Sequence, residues 1–143
     1  MIQNINQFSD STASEMELNI PASEDMLILA RLTVMGFVSR YGFTLDGIED
    51  LNIATNELCI IAIDYAATNT NLRINCTWLE STLTVKTSLS QAEFISKDHI
   101  GQEPHYLELS REVLRSLTDS FGIDFHGGSY CGWFTKQLIK IDK

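Results

Sequence analysis

Cysteine is scarce in this sequence of 143 residues, which contains only Cys59, Cys76 and Cys131. An odd number of widely spaced thiols fits neither a disulfide framework nor a structural zinc site. No apolar run approaches the roughly twenty residues of a membrane-spanning helix, no basic leader precedes an apolar segment, and no lipidation motif is visible. We therefore expect a cytoplasmic protein with no membrane anchor and no metal site.

Basic residues are also few. Ten Lys and Arg stand against nineteen Asp and Glu, which gives a net charge of −9, and the first thirty residues contain five acids and no base. Nucleic-acid binding needs cationic side chains that neutralise phosphates, so this balance argues against it. An acidic chain of this kind is compatible with a basic protein partner.

Motifs for nucleophilic, phosphate-binding or metal chemistry are lacking. The run GGSYCGW at 127–133 misses the spacing of a nucleophile elbow and is better explained as a glycine-containing hairpin turn. No phosphate-binding G-x-x-x-x-G-K-[ST] motif occurs. The three histidines, His99, His105 and His126, are scattered, which does not suggest a shared metal ion.

The strongest positive signal is the segment 45–67, which we predict to be a long central helix. Thr44 is a suitable N-cap, and apolar residues recur with the spacing of one helical face. The second half is apolar almost all round, which indicates deep burial. Glu57 lies on the same stripe as Ile61 and Tyr65. A carboxylate in that position must be paired, reach solvent or line a cavity.

Alternating and helical patterns predict the remaining elements around this helix. Residues 1–13 are expected to be flexible, and residues 14–143 are expected to form one domain. The predicted elements are a strand at 15–20, a helix at 24–41, a hairpin of strands at 72–78 and 83–89, a loop at 90–104, a helix at 105–120, and a second hairpin of strands at 122–126 and 130–141. This order predicts a two-layer α/β sandwich, in which three helices cover one face of a five-stranded, mostly antiparallel sheet.

For two of the predicted helices, the sequence predicts which residues form the apolar faces. The first helix has two apolar stripes, of which one is enough to cover a sheet, so the other is available for a partner. In the helix at 105–120 the inward positions are predicted to be Tyr106, Leu109, Val113, Leu117 and Phe121.

Three segments together resemble one known family. They are Ile20-Pro-Ala-Ser23, RLTVMGFVSRYG at 31–42 and IEDLNIATNELC at 48–59. This part of the chain is similar to the bacterial anti-sigma-factor serine kinases of the RsbW kind, which belong to the histidine-kinase-like ATPase (GHKL) superfamily. The resemblance implies a dimeric regulator that sequesters a sigma factor and is captured by a small antagonist protein. It also implies an ATP site between the long helix and the loop ahead of the third helix.

The helix motif of that family is only partly kept. The family pattern Glu-x-x-x-Asn-Ala-x-x-His-Ala reads ELCIIAIDYA at 57–66. Glu57, to which the resemblance gives the role of general base or water-orienting group, is present, but it is equally compatible with a buried acid satisfied by backbone or by an arginine. Ile61 replaces the magnesium-binding Asn, and Tyr65 replaces the His. Asp64 could supply an oxygen instead, although a solvated acid at a helix end is the simpler interpretation.

The other two nucleotide motifs also depart from the family pattern. Where the resemblance expects the adenine-binding Asp-x-Gly-x-Gly, the chain has SLSQA at 88–92, with Leu89 and Gln91 at degenerate positions. Where a glycine-rich turn is expected, it has LELS at 107–110, which includes Glu108 and Ser110. These replacements remove metal, adenine and phosphate contacts, so no cofactor is expected. If the cleft has closed, Ile61, Tyr65 and Leu109 should fill it.

Two functions follow as alternatives. The first is a non-catalytic regulatory module resembling an anti-sigma factor, with a sigma factor or a small antagonist protein as partner. Its partner surface would be the outer stripe of the first helix, which we assign to Leu27, Arg31, Met35 and Val38, together with the neighbouring strand. The second is an ATP-dependent serine protein kinase that acts on a small antagonist protein and uses ATP and Mg²⁺. A dimerisation module with an unrelated role is a plainer third interpretation.

Overall fold

The computed structural model describes residues 14–89, 106–126 and 129–138. Within these ranges, the elements follow one another in the predicted order. They are β1 (Ser14–Pro21), α1 (Leu27–Val38), α2 (Leu45–Tyr65), β2 (Asn71–Leu79), β3 (Thr82–Leu89), α3 (Tyr106–Leu117), β4 (Ser120–His126) and β5 (Ser129–Gln137). A short 3₁₀ turn, Glu24–Met26, leads into α1.

The five strands form one sheet in the spatial order β1-β2-β3-β5-β4, and every neighbouring pair is antiparallel. Cys76 lies opposite Val85, and Val85 lies opposite Phe134, so these fully buried side chains share the face that packs on the helices. Since side chains alternate along a strand, Arg73 and Lys86 lie on the other face, where they are exposed. The predicted two-layer α/β fold with an antiparallel sheet is confirmed.

Helix α2 is the centre of the helical layer, where it contacts α1, α3, β3 and β5. Thr44 is its N-cap, as predicted, because the Thr44 hydroxyl accepts a hydrogen bond of 3.0 Å from the Gly47 amide. Its sheet-facing residues, which include Leu51 and Leu58, are fully buried. Both α1 and α3 therefore pack against α2.

Aromatic packing fixes the connection between α1 and α2. Tyr41 stacks on Trp78 with ring centroids 4.2 Å apart, and Phe43 meets the same indole edge-on at 5.8 Å. Between them Gly42 has a φ of 87°, in the left-handed region that glycine adopts without steric cost. The turn between α1 and α2 therefore packs on Trp78 of β2.

Some predicted boundaries are wrong. The first helix is not continuous over 24–41, because its first turn is 3₁₀ and α1 ends at Val38, ahead of the reversal at Gly42. The central helix ends at Tyr65 because Ala66 has extended backbone angles. Strand β5 ends at Gln137, and residues 139–141 of the predicted strand lie outside the described ranges. Residues 1–13 and 90–104 lie outside the described ranges, so the predictions for them stay predictions.

The predicted inward face of α3 is wrong at Leu109. Val113 and Leu117 are half-buried and Phe121 packs against the core, while the side chain of Tyr106 lies outside the described part of the structure. Leu107, Ser110 and Leu114 are the buried residues of this helix, whereas Leu109 is 68% exposed. The stripe that is buried has the same helical spacing, but its middle residue is Ser110. A search for apolar residues alone therefore does not identify it. None of the helices in the described ranges is long and apolar enough to cross a membrane.

Candidate functional site

Glu57 lies on α2 where this helix meets α3. It is half-buried, and its Oε2 accepts a hydrogen bond of 2.9 Å from the hydroxyl of Ser110. Ser110 itself is only 4% exposed. Of the alternatives that the sequence left open for this carboxylate, two are observed together: Glu57 is paired, and it remains partly exposed to solvent. Its partner is a hydroxyl on another helix, neither an arginine nor a backbone group.

The next positions on the same stripe of α2 are apolar and enclosed. Ile61 is fully buried, and Tyr65 is 2% exposed. The Tyr65 ring stacks on Phe125 of β4 with centroids 4.1 Å apart, and Phe125 lies 5.4 Å from the ring of Tyr130 on β5. These three rings, which we call the aromatic cluster, fill the space between the end of α2 and the second hairpin.

A small hydrogen-bond network ties the phenol of Tyr130 to both layers. Its Oη donates to the Leu58 carbonyl oxygen of α2 at 3.3 Å and lies 3.2 Å from Thr87 Oγ1 of β3. Thr87 in turn donates to the Gly132 carbonyl oxygen at 3.1 Å. The buried hydroxyls of Tyr130 and Thr87 therefore have hydrogen-bond partners within the protein.

The remaining predicted cleft positions are Leu89, Gln91 and Glu108. Leu89 is 8% exposed at the end of β3, and Glu108 is exposed on α3. Gln91 lies outside the described residues. The expectation that Leu109 fills the cleft is wrong because its side chain faces away from the core, and Leu107 and Leu114 of α3 are buried in its place.

The polar groups that the structure places in the seam between α2 and α3 are few. Glu57 and Ser110 are bonded to each other, and Asp64 lies elsewhere, on an outer groove that it lines together with Glu24 and Leu27. In the described ranges, no group of three or more His, Cys, Asp or Glu side chains is placed to hold a metal ion.

The predicted partner surface on α1 needs one correction. Val38 is fully buried under the helix, so its assignment to an exposed stripe is wrong. Leu27, Arg31 and Met35 are half-buried, and Arg31 Nη1 donates to Asn56 Oδ1 of α2 at 3.0 Å.

Two exposed apolar residues of α1 were not assigned to the predicted partner surface. They are Ile28 and Leu32, which are 59% and 63% exposed. Their i, i+4 spacing was a signal that could have identified them. It was obscured because α1 carries apolar residues on almost every side.

The three cysteines are free thiols. Cys59 and Cys76 are fully buried, and burial raises the pKa of each to about 12. For Cys59, the neighbouring Cys76 raises the pKa further. Cys131, on the opposite face of the sheet, is half-buried. Thiols held protonated at neutral pH are poor nucleophiles, so Cys59 and Cys76 have a packing role.

The order of elements and the antiparallel sheet define the fold of an RsbW domain. A crystal structure of the RsbU and RsbW domains of a Mycobacterium tuberculosis protein superposes with a TM-score of 0.69, covering 87% of this chain and 32% of that one. The sequences are 12% identical, so this likeness concerns the fold alone.

In sequence, the chain resembles the RsbW serine-protein kinases. It is 43% identical over 56 residues to serine-protein kinase RsbW of Bacillus velezensis and 41% identical over 56 residues to that of Bacillus subtilis. Each match covers 39% of this chain and 35% of the relative. The chain thus matches about a third of the length of these curated relatives, and no protein-family model matches it. The predicted resemblance is confirmed over that part.

Proposed function

We propose that this protein is a non-catalytic, cytoplasmic regulatory module that binds other proteins in the manner of an anti-sigma factor, in a partner-switching pathway, and that it has lost its nucleotide site. The observation that carries the proposal is Ile61, a fully buried aliphatic residue at the position to which the family motif gives a magnesium-binding Asn. Mg²⁺ requires oxygen ligands in octahedral geometry, and an isoleucine side chain has none.

The hydrogen bond between Glu57 and Ser110 supports the same conclusion. A general base must reach the proton that it abstracts, or a water molecule, through a carboxylate oxygen. Here Oε2 of Glu57 accepts from Ser110 at 2.9 Å. Ser110 belongs to the segment 107–110, where the family resemblance expects the phosphate-binding turn. The remnant of the catalytic motif is therefore engaged in joining α3 to α2.

The aromatic cluster is a third supporting observation. Tyr65 occupies the position of the motif histidine and stacks on Phe125 at 4.1 Å, while Tyr130 is bonded to Leu58 and lies beside Thr87. Opening this region for a ligand would expose three rings and leave buried polar groups without partners. Both changes cost free energy.

An ATP-dependent serine protein kinase acting on a small antagonist protein is the alternative. Glu57 is retained, it is half-buried instead of enclosed, and the relatives in sequence are named serine-protein kinases. Under this alternative ATP and Mg²⁺ would be bound.

A thermal-shift titration with ATP and Mg²⁺ separates the two functions. A site filled at about 100 times its Kd would add roughly 2.7 kcal/mol to the free energy of unfolding. For a domain of this size that raises the melting temperature by about 3–6 °C. We expect no shift at millimolar ATP, with an RsbW kinase as the positive control. A shift of that size, lost in Glu57→Gln, would overturn the proposal in favour of the kinase.

The partner is tested separately, because loss of nucleotide binding does not by itself establish a protein partner. We propose a homodimer that binds a sigma factor or a small antagonist protein. Native mass spectrometry of the purified protein alone is expected to show a homodimer. After mixing with sigma factors and antagonist proteins of the same cell, it is expected to show a complex with one of them. A monomer that binds neither class would contradict this part of the proposal.

A further inference from the structure

Strand β4 is one of the two edge strands of the described sheet, and it is the less protected one. In the order β1-β2-β3-β5-β4, only β1 and β4 have a neighbouring strand on a single side. Strand β1 carries Glu15 and Glu17 and ends at Pro21, and charged side chains and proline keep a further strand from adding to an edge. Strand β4 reads SFGIDFH and contains no proline, lysine or arginine. Among the described strands, β4 therefore offers the edge at which another strand can pair.

The backbone of β4 is regular along its whole length. Each of its seven residues pairs with one residue of β5, so no bulge turns the edge away. Its side chains on the face toward the helices are apolar and only half-buried, namely Phe121, Ile123 and Phe125. An added strand would remove more of this apolar surface from water, which favours association.

On the open face of the sheet, the indole of Trp133 lies over Gly122 of β4. The two residues are cross-strand partners. A Cβ atom on Gly122 would lie 2.6 Å from Trp133 Nε1, and 2.8 and 2.9 Å from two further ring atoms. Because glycine has no Cβ, the half-buried ring crosses from β5 to the edge strand and brings its N–H there. This N–H has no hydrogen-bond partner within the described ranges, so it is a donor that an approaching strand can engage.

The sequence of β4 is complementary to itself in antiparallel pairing. Ile123 is its middle residue, so a twofold axis through Ile123 pairs two copies over the full length of the strand. Asp124 of each copy then lies opposite Gly122 of the other, and Phe121 lies opposite Phe125. No like charges face each other in these pairs, whereas an axis through Asp124 would oppose two carboxylates. Full overlap and charge together select the register centred on Ile123.

The same register supplies an acceptor for the indole N–H. Side chains that face each other across an antiparallel pair have Cβ atoms about 4.5–5.5 Å apart, and the Cβ position of Gly122 is the one beside Trp133 Nε1. The Asp124 carboxylate of the other copy would therefore reach Nε1. Asp124 is exposed and has no ion pair within the described ranges, and hydrogen bonds to charged acceptors are the stronger ones. Because the twofold axis makes this bond twice, a second copy fits the edge better than an unrelated strand does.

We propose that two copies of the chain pair through their β4 strands, antiparallel about Ile123, and join their sheets into one. Strand addition at an exposed edge is a common mode of recognition, in which main-chain hydrogen bonds supply the affinity. The hydrogen bond between Trp133 and Asp124 would fix the register. This inference rests on the proposed function, since it assigns an interface to the homodimer proposed there.

Sedimentation velocity of the full chain over a range of concentrations tests the inference. We expect a dimer, and we expect Ile123→Lys to raise its Kd at least about tenfold, because two lysines would face each other at the axis. The matched control is Leu18→Lys, which changes a half-buried apolar residue of the other edge strand and should leave the Kd unchanged. Thermal unfolding shows whether both variants are folded, and Asp124→Lys, at an exposed position, replaces Ile123→Lys if the latter is not.

The indole N–H resonances in NMR spectra give a readout that is specific to the register. On dilution through the Kd, the resonance of Trp133 should shift and that of Trp78 should not, since Trp78 is buried within one copy. Asp124→Asn should weaken the dimer and reduce the shift. Glu17→Gln, which changes a carboxylate on β1, should do neither. Trp133→Phe assigns the two resonances.

Three outcomes would overturn the inference. They are a dimer that Ile123→Lys leaves intact, a dimer that Leu18→Lys weakens equally, and a Trp133 resonance that does not respond to dilution. Each of them would place the interface elsewhere and leave the proposed homodimer standing. A monomer at every concentration would overturn both the inference and the homodimer. The proposed loss of nucleotide binding is tested separately by the ATP titration.

Discussion

Gly132 lies in the middle of β5, directly against the ring of Tyr130. A Cβ atom at this position would overlap the phenol oxygen and lie 3.1 Å from Leu58 Cδ2. Because both neighbours are buried, neither can move aside freely. We expect Gly132→Ala to lower the free energy of unfolding by about 1–3 kcal/mol, measured by urea denaturation.

Gly36 provides the matched control for that substitution. It lies on the exposed side of α1, and a Cβ atom there would meet nothing within 4 Å. Alanine is the better helix former, so Gly36→Ala should raise the free energy of unfolding by about 0.5–1 kcal/mol. Equal effects of the two substitutions would contradict the packing described for Tyr130.

Thiol accessibility gives a second prediction for single residues. At pH 8, Ellman's reagent should react with the half-buried Cys131 in the native protein, and with Cys59 and Cys76 only after denaturation. Burial raises the pKa of Cys59 and Cys76 from 9.0 to about 12. Rapid labelling of all three thiols in native buffer would contradict this picture.

The same raised pKa values make stability depend on alkaline pH. Between pH 9 and 12 the unfolded chain loses its thiol protons while the folded chain keeps them, so the free energy of unfolding falls as the pH rises. The slope is at most about 1.4 kcal/mol per thiol per pH unit. Urea denaturation at several pH values checks it, and Cys59→Ala should reduce the slope.

At the scale of elements, α3 is held to the molecule by the stripe Leu107, Ser110 and Leu114. Since Leu114 is fully buried, Leu114→Ala should lower the free energy of unfolding by about 2–5 kcal/mol. Leu109→Ala, at a position that is 68% exposed, should change it by less than about 0.5 kcal/mol. Chemical denaturation of the two variants measures the difference, and a larger effect at Leu109 would mean that α3 is rotated.

The elements that could be predicted from the sequence are those with a clear period. In strands β2 and β3 apolar and polar residues alternate strictly, and α2 has a capping threonine and one broad apolar face. The type and the approximate bounds of these elements could therefore be predicted. Which face of α3 is buried could not be predicted, because the apolar residues of 105–120 fit two stripes with the same spacing. The buried stripe was the one interrupted by Ser110.

The candidate site shows the same limit more sharply. That Glu57 required a partner, solvent or a cavity followed from the apolar residues around it. That the partner is Ser110 did not, because the two residues are 53 positions apart and meet only through the packing of α3 on α2. Phe125 and Tyr130 likewise join Tyr65 through the order of the strands, which local patterns do not specify.

At the scale of the whole molecule, the chain ahead of α1 divides into two parts. Residues 1–13 are predicted from sequence to be flexible, so we expect their removal to leave the melting temperature unchanged. Removal of residues 1–21 takes away β1, which pairs along its full length with β2 and buries Ile20. We expect this deletion to lower the melting temperature strongly or to prevent folding. A large effect of the shorter deletion would contradict the assigned domain boundary.

The spatial order of the strands has a consequence for how the chain reaches this structure. Strands β2 and β3, like β4 and β5, are hairpin partners separated by two residues, so each pair closes a short loop. Strands β3 and β5 meet in the middle of the sheet across a far longer stretch of chain, with Ser88 opposite Cys131. Closing that stretch costs more entropy and slows the encounter. We therefore expect the meeting of the two hairpins along this central seam to limit the rate of folding.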